Sequence, residues 1–342
     1  MLQKPKALQK GDTIASVSLS WGGAGDADLL WRYQVGKERL ETLFGLTVVE
    51  MPNTLKGSTF LADHPQSRAQ DLMDALCNPS IKAVFSCIGG NDSIRLLPFI
   101  DFSLLAEHPK IFLGYSDSTV THLMFCKAGV GSFYGPSILA EFAENLALYP
   151  YTEQWVRKTL FSNDKIGTIE APLQWTGERL PWTEDNRSKS KQMFSHEGYQ
   201  VLQGDGAMEG PLLGGCLEVL DMCIGTSIWP DFSGCLLFLE TSEETPSPRR
   251  FSLILDRLVA AGMMDGIKGI LLAKPYQEVH VHAYLQVLRL TLSRLGLGDM
   301  PVAYNLAFGH NEPMCILPYG TLTRFDCRTK TLSILESAVA SP

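Results

Sequence analysis

The sequence has no apolar run near the ~18–20 residues that a membrane-spanning helix needs, so no bilayer crossing is expected. It has no basic cluster beyond short runs such as Lys189-Ser190-Lys191. Its 29 Lys and Arg against 37 Asp and Glu leave a formal net charge of −8. Nucleic acids and anionic membranes are held through positive patches, so neither is an expected partner. None of the eight cysteines forms a C-x-x-C pair, and most lie inside apolar runs such as Phe85-Ser86-Cys87-Ile88. Such thiols read as reduced and buried, not as a disulfide framework or a metal cluster. Internal repeats and low-complexity tracts are also missing. Near the start, Thr13–Leu19 is too short and too mixed for the apolar core of a secretory leader, which points to the cytoplasm.

What is present suits a soluble two-domain protein. The chain has 342 residues, 45% of them apolar and 19% charged, enough to bury a sizeable core twice. The first half alternates strand and helix patterns. Strands are predicted at Thr13–Leu19, Leu46–Glu50, Lys82–Ile88 and Ile111–Tyr115. Helices are predicted at Trp31–Phe44, Ser67–Cys77 and Thr119–Ala128, with another starting at Ser93. This rhythm predicts an α/β fold with a parallel sheet covered on both faces. Ligands in such folds sit beyond the C-terminal strand ends, here the loops 20–25, 89–93 and 116–118.

Residues 174–200 are polar and carry two tryptophans, Trp175 and Trp182. We expect 166–209 to be a linker and Trp-bearing loop between domains at 1–165 and 210–342. In the second domain Leu212–Cys223 reads as a helix opened by Gly214-Gly215. Strands are predicted at Cys235–Leu239, Ile267–Ala273 and Pro301–Ala307, helices at Pro248–Ala261 and Val281–Leu295. A hairpin of Thr321–Phe325 and Thr331–Leu335 follows.

Three residues at strand ends can carry chemistry. Ser116, at the turn after Ile111–Tyr115, would stand above the sheet beside the first N–H groups of a helix, where an oxyanion is stabilised. The same pattern also fits a simple helix cap by Asp117 or Ser118. A serine nucleophile needs a base, and His310, in the turn FGHNEP after a predicted strand, is the best placed of seven histidines. Glu240 ends the apolar run Cys235–Leu239. Buried there it needs a partner, either a histidine or Arg249 or Arg250. The loop Gly89-Gly90-Asn91 lets backbone approach a ligand closely. It could cradle a phosphate or supply an N–H to an oxyanion. Cys87 is a rival nucleophile that reads better as a buried thiol.

The stretch FSCIGGNDSIRLLPFIDFSLLAEHPKIFLGYSDSTVTHLMF, then FYGP at 133–136, GPLLGGCLEVLDMCIGT, LFLETSEE and FGHNEPMCILPYG, resembles the LD-carboxypeptidase family of serine peptidases, in the family's order. The GGNDS loop, FYGP and the Trp-bearing insert look more like its microcin C immunity peptidase branch. The resemblance implies a Rossmann-like or flavodoxin-like N-terminal domain with a parallel sheet, a smaller α/β C-terminal domain and a homodimer. It implies a triad of Ser116, His310 and Glu240, with the backbone N–H groups of Gly90 and Asp117 as oxyanion donors. Neither cofactor nor metal is required. Gly89, Asn91, Trp182 and Cys216 become candidate substrate contacts. Cys216 stands where the family often has Asn, Thr241 where it often has Asp, and Ser118 replaces an apolar residue. The expected activity is cleavage of an amide near a carboxyl terminus, in a small peptide or a peptidyl or aminoacyl nucleotide. Trp182 or Trp175 could stack on a base, or could pack the loop onto the body. Two rival readings are trimming of muramoyl tetrapeptides and a non-catalytic α/β binding protein.

Overall fold

In the computed structural model, which describes residues 2–342, the predicted punctuation takes shape first. The helix Leu30–Phe44 ends at Gly45, whose φ of 68° turns the chain straight into the strand Thr47–Glu50. Pro65 opens the helix Pro65–Cys77, where its missing N–H costs nothing.

The N-terminal sheet has six strands in the order Leu317–Pro318, Phe133–Tyr134, Ile111–Gly114, Ile81–Ser86, Thr13–Val17, Thr47–Glu50. The five strands from the first half are parallel and follow the flavodoxin-like order, as expected for apolar runs buried on both faces. The sixth, Leu317–Pro318, comes from the far end of the chain and pairs antiparallel with Phe133–Tyr134. It ties the two halves of the protein together.

The second sheet has eight strands. Its centre is parallel: Ala207–Cys216, Leu236–Glu240, Gly269–Ala273 and Val302–Leu306. The helices Pro248–Ala260 and Val281–Arg294 supply the crossovers. The hairpin of Leu322–Asp326 and Thr331–Ile334 extends one edge as predicted.

Two expectations are corrected. Residues 212–216 are strand, not helix; only Leu217–Cys223 is helical. The strand Ala207–Cys216 pairs over 212–216 with Leu236–Glu240 and over 207–211 with Leu322–Asp326. Buried throughout, residues 212–216 show no alternation, and their apolar spacing mimics a helix. Residues 166–209 are also more than a connection. Gly167–Ile169 and Gln200–Gln203 form the two outer strands of the second sheet, and Gln174–Trp175 pairs with Phe194–Ser195 in a small ribbon.

Gly214 marks the tightest point of the second sheet. Its φ is 155°, and a Cβ there would overlap the carbonyl oxygen of Phe238 on the next strand. Gly214→Ala is therefore expected to lower unfolding free energy by about 3 kcal/mol, from backbone strain and overpacking together. Denaturant titration against the parent chain checks this.

Candidate active site

The chain places a serine, a histidine and a glutamate at the ends of three strands, and the strands converge. The strand Ile111–Gly114 runs out into Tyr115, and Ser116 follows with φ of 62°. A non-glycine residue in the left-handed region stores about 1–3 kcal/mol of strain and aims its side chain out of the turn. The helix Thr119–Lys127 begins immediately beyond. Glu240 ends the buried strand Leu236–Glu240 and is itself only 1% exposed. His310 follows the strand Val302–Leu306, held by Gly309 at φ of 85°. A Cβ at Gly309 would overlap the Glu240 carboxylate, so only glycine lets the backbone pass there.

The three side chains form one relay. Glu240 Oε2 accepts from the backbone N–H of His310 at 3.0 Å and faces His310 Nδ1 at 2.7 Å. His310 Nε2 lies 3.1 Å from Ser116 Oγ. Tyr134 closes the circle, donating its hydroxyl to Glu240 Oε1 and accepting the Ser116 N–H at 3.1 Å. Burial, and then the neighbouring Glu240 charge, push the Tyr134 pKa well above its ordinary value, so the phenol keeps its proton for Glu240.

The glycine loop is fixed against this turn. Asp117 is fully buried, and its carboxylate accepts the Ser93 N–H at 2.8 Å. Ser93 Oγ donates to the Asp117 carbonyl at 2.9 Å. A Cβ on Gly89 would stand 3.0 Å from Ser116 Cβ and 3.4 Å from the Asp117 nitrogen. Gly89 and the Asp117 amide therefore face each other across the Ser116 turn. Gly90 adopts φ of 145°. Arg68, fully buried, holds the loop from behind with bonds to the carbonyls of Leu19 and Ser20 and to Asp92.

A cavity of about 400 Å³ opens over Ser116 and His310. Gly89, Gly90, Asn91 and Trp182 all line it. The Trp182 ring stacks against Trp21 with centroids 6.4 Å apart and planes 23° from parallel, and the Arg32 guanidinium lies 4.5 Å from the Trp182 centroid. Two expected residues are elsewhere. Trp175 packs on Phe194 in the small ribbon, with the Lys274 ammonium 4.2 Å from its ring centroid. Cys216 is buried, and its N–H donates to Thr119 Oγ1, which itself donates to the Ser116 carbonyl. Cys216 thus braces the Ser116 turn and does not line the cavity. Burial pushes the Cys87 thiol up to about 12, which leaves it inert.

Sequence reasoning missed Tyr134, Trp21 and Glu243. Tyr134 sat in the quoted FYGP, and Trp21 in the loop 20–25 singled out at a strand end; Glu243 gave no signal beyond a polar loop. Among the described residues no cluster of His, Cys, Asp and Glu could hold a metal ion, and no helix is long and apolar enough to cross a membrane.

Comparison with known proteins identifies the family. Models of the LD-carboxypeptidase N-terminal and C-terminal domains match residues 14–135 and 209–325. The microcin C7 self-immunity protein MccF of Escherichia coli is 28% identical, over 100% of this chain and 97% of that protein. A Bacillus subtilis protein named "Probable murein peptide carboxypeptidase" is 29% identical over 98% of this chain and 95% of its own. An MccF-like protein from Streptococcus pneumoniae, solved in complex with AMP, superposes with a TM-score of 0.88 at 33% identity, covering 95% of this chain and 98% of that one. MccF in complex with aspartyl sulfamoyl adenosine gives 0.84 at 28% identity, over 99% and 100%.

Proposed function

The chain belongs to the LD-carboxypeptidase family and is a serine-type carboxypeptidase, and from that premise we propose that Ser116, His310 and Glu240 are its catalytic triad and that it cleaves an acyl amide next to a nucleotide-like group. The observation that carries this reading is the unbroken hydrogen-bonded line from Glu240 through His310 to Ser116, opening into a cavity walled by two stacked indoles.

Ser116 Oγ attacks the acyl carbonyl carbon while its proton passes to His310 Nε2. Glu240 holds Nδ1–H and stabilises the imidazolium that forms. The carbonyl oxygen takes the negative charge and accepts from the N–H groups of Gly90 and Asp117. The Ser116 N–H is already given to Tyr134, so it is not available as a donor. Each oxyanion donor contributes roughly 10²–10³ in rate. The tetrahedral adduct then expels the amine, which takes the proton from His310. Water repeats the sequence against the acyl-serine and frees the acid.

The nucleotide-like leaving group is supported by the aromatic pair Trp21 and Trp182 and by the AMP and aspartyl sulfamoyl adenosine complexes of the MccF-type proteins. Stacking on an aromatic contributes about 1–3 kcal/mol per base. Trp182→Ala is therefore expected to weaken AMP binding about tenfold or more by calorimetry; unchanged affinity would remove Trp182 as a platform. The relative named as a murein peptide carboxypeptidase keeps a second reading, trimming of muramoyl tetrapeptides. Incubation with aspartyl sulfamoyl adenosine and with a muramoyl tetrapeptide, product formation followed by mass spectrometry, separates the two. Cleavage of the tetrapeptide alone would overturn the nucleotide reading.

A further inference from the structure

A second carboxylate competes with the nucleophile for the base. Glu243 Oε2 lies 2.9 Å from His310 Nε2, the same nitrogen that faces Ser116 Oγ. Nδ1 is already held by Glu240, so both ring nitrogens meet a carboxylate, an arrangement that favours the imidazolium. Burial works against that charge, but Glu240 and Glu243 together outweigh it and keep the His310 pKa well above its ordinary value. Glu243 in turn is pulled down to about 2, first by its hydrogen bond to His310. A charged imidazole cannot take the Ser116 proton. In this resting arrangement the base is occupied.

The contact is one that can be released. Glu243 lies on the loop between the strand Leu236–Glu240 and the helix Pro248–Ala260, and its side chain is 41% exposed. Its other cationic neighbour, Arg179, stands off at 3.9 Å. Five glutamates line the cavity against two arginines and one lysine. The lysine, Lys191, is committed to Glu144 and Glu312, and Arg32 bonds the carbonyls of Leu139 and Ala140. The groups facing the His310 ring are Glu240, Glu243, Ser116 and the Tyr115 ring, 5.0 Å away; Arg179 and Tyr276 face Glu243 from outside.

Building on the Ser116–His310 reading above, we propose that Glu243 is a specificity-determining latch, drawn off His310 by a positive charge on the acyl part of the substrate, so that acyl groups carrying a cation near the scissile carbonyl are preferred. When an ammonium pairs with Glu243, the imidazolium gives its Nε2 proton to water. Neutral Nε2 then accepts the proton of Ser116 Oγ. The ammonium can be an α-amino group or the end of a basic side chain.

The test is the rate of Ser116 labelling by three alkyl fluorophosphonates: one neutral, one with an ammonium on the carbon beside phosphorus, and one with an ammonium at the chain end. The native enzyme is expected to label at least tenfold faster with one of the two ammonium probes than with the neutral one, and which one identifies the recognised cation. In Glu243→Ala, an exposed loop substitution with little effect on folding, the preference should vanish. For the neutral probe the acid limb of the rate should move to lower pH, because one carboxylate fewer holds the proton on His310. Equal rates in the native enzyme, a preference that survives in Glu243→Ala, or an unmoved acid limb would each overturn the latch. Ser116-dependent labelling without cleavage of aspartyl sulfamoyl adenosine would remove the nucleotide reading and leave the latch standing. Absence of Ser116 labelling would remove the triad and the latch together.

Discussion

Ser116→Ala is expected to lower kcat/KM by a factor on the order of 10⁴–10⁶, leaving only what binding and the oxyanion donors contribute. In the proposed mechanism this hydroxyl forms the acyl bond, and the rival thiol, Cys87, is buried and held protonated. A companion variant separates chemistry from folding. Ser116 sits at φ of 62°, a conformation glycine adopts freely and alanine does not. Ser116→Gly should be inactive to the same degree yet about 1 kcal/mol more stable than Ser116→Ala in denaturant titration. If both variants keep more than a hundredth of the native turnover on the same substrate, Ser116 is not the nucleophile. If the glycine form is no more stable, the strained turn is not a store of strain.

The candidate triad was legible because each member stands at the end of a buried parallel strand. An apolar run such as Leu236–Leu239 cannot carry a charge in its middle, so a polar residue at its end is conspicuous, and Ser116, Glu240 and His310 each fall at such a place. Their partners were not legible. Tyr134 lies in a two-residue strand and reads as core; its role comes from Glu240, 106 residues away, which no local pattern announces. Glu243 in ETSEE reads as a solvated loop acid, and only the fold brings it to His310. The same limit explains the fold corrections. The strand over 212–216 is sheltered on both sides and loses its alternation, while the strands within 166–209 have only two to four residues, too few for a period to register.

Glu240→Gln is expected to lower kcat by about 10³–10⁴ with much less effect on KM, and the structure says why the loss is electrostatic more than geometric. Glu240 Oε2 accepts from two donors, the backbone N–H and Nδ1–H of His310, while Oε1 receives the Tyr134 hydroxyl. An amide can keep its oxygen on His310 only if its NH₂ faces Tyr134. Tyr134 can turn its hydroxyl to accept, since it already accepts the Ser116 N–H on the same oxygen. The histidine therefore keeps its tautomer and its place, and what disappears is the negative charge that stabilises the imidazolium of the transition state. The sign of the pH effect follows. With His310 as the proposed base, catalysis needs its neutral form, so rate rises with pH through its pKa; removing one of the two carboxylates that raise that pKa moves the acid limb to lower pH. Adding Tyr134→Phe should then be costly beyond the sum of the single changes, because the new amide loses its acceptor and flips its nitrogen toward His310. A loss under tenfold for Glu240→Gln, with the acid limb in its native position, would show that the carboxylate neither orients nor charges the base.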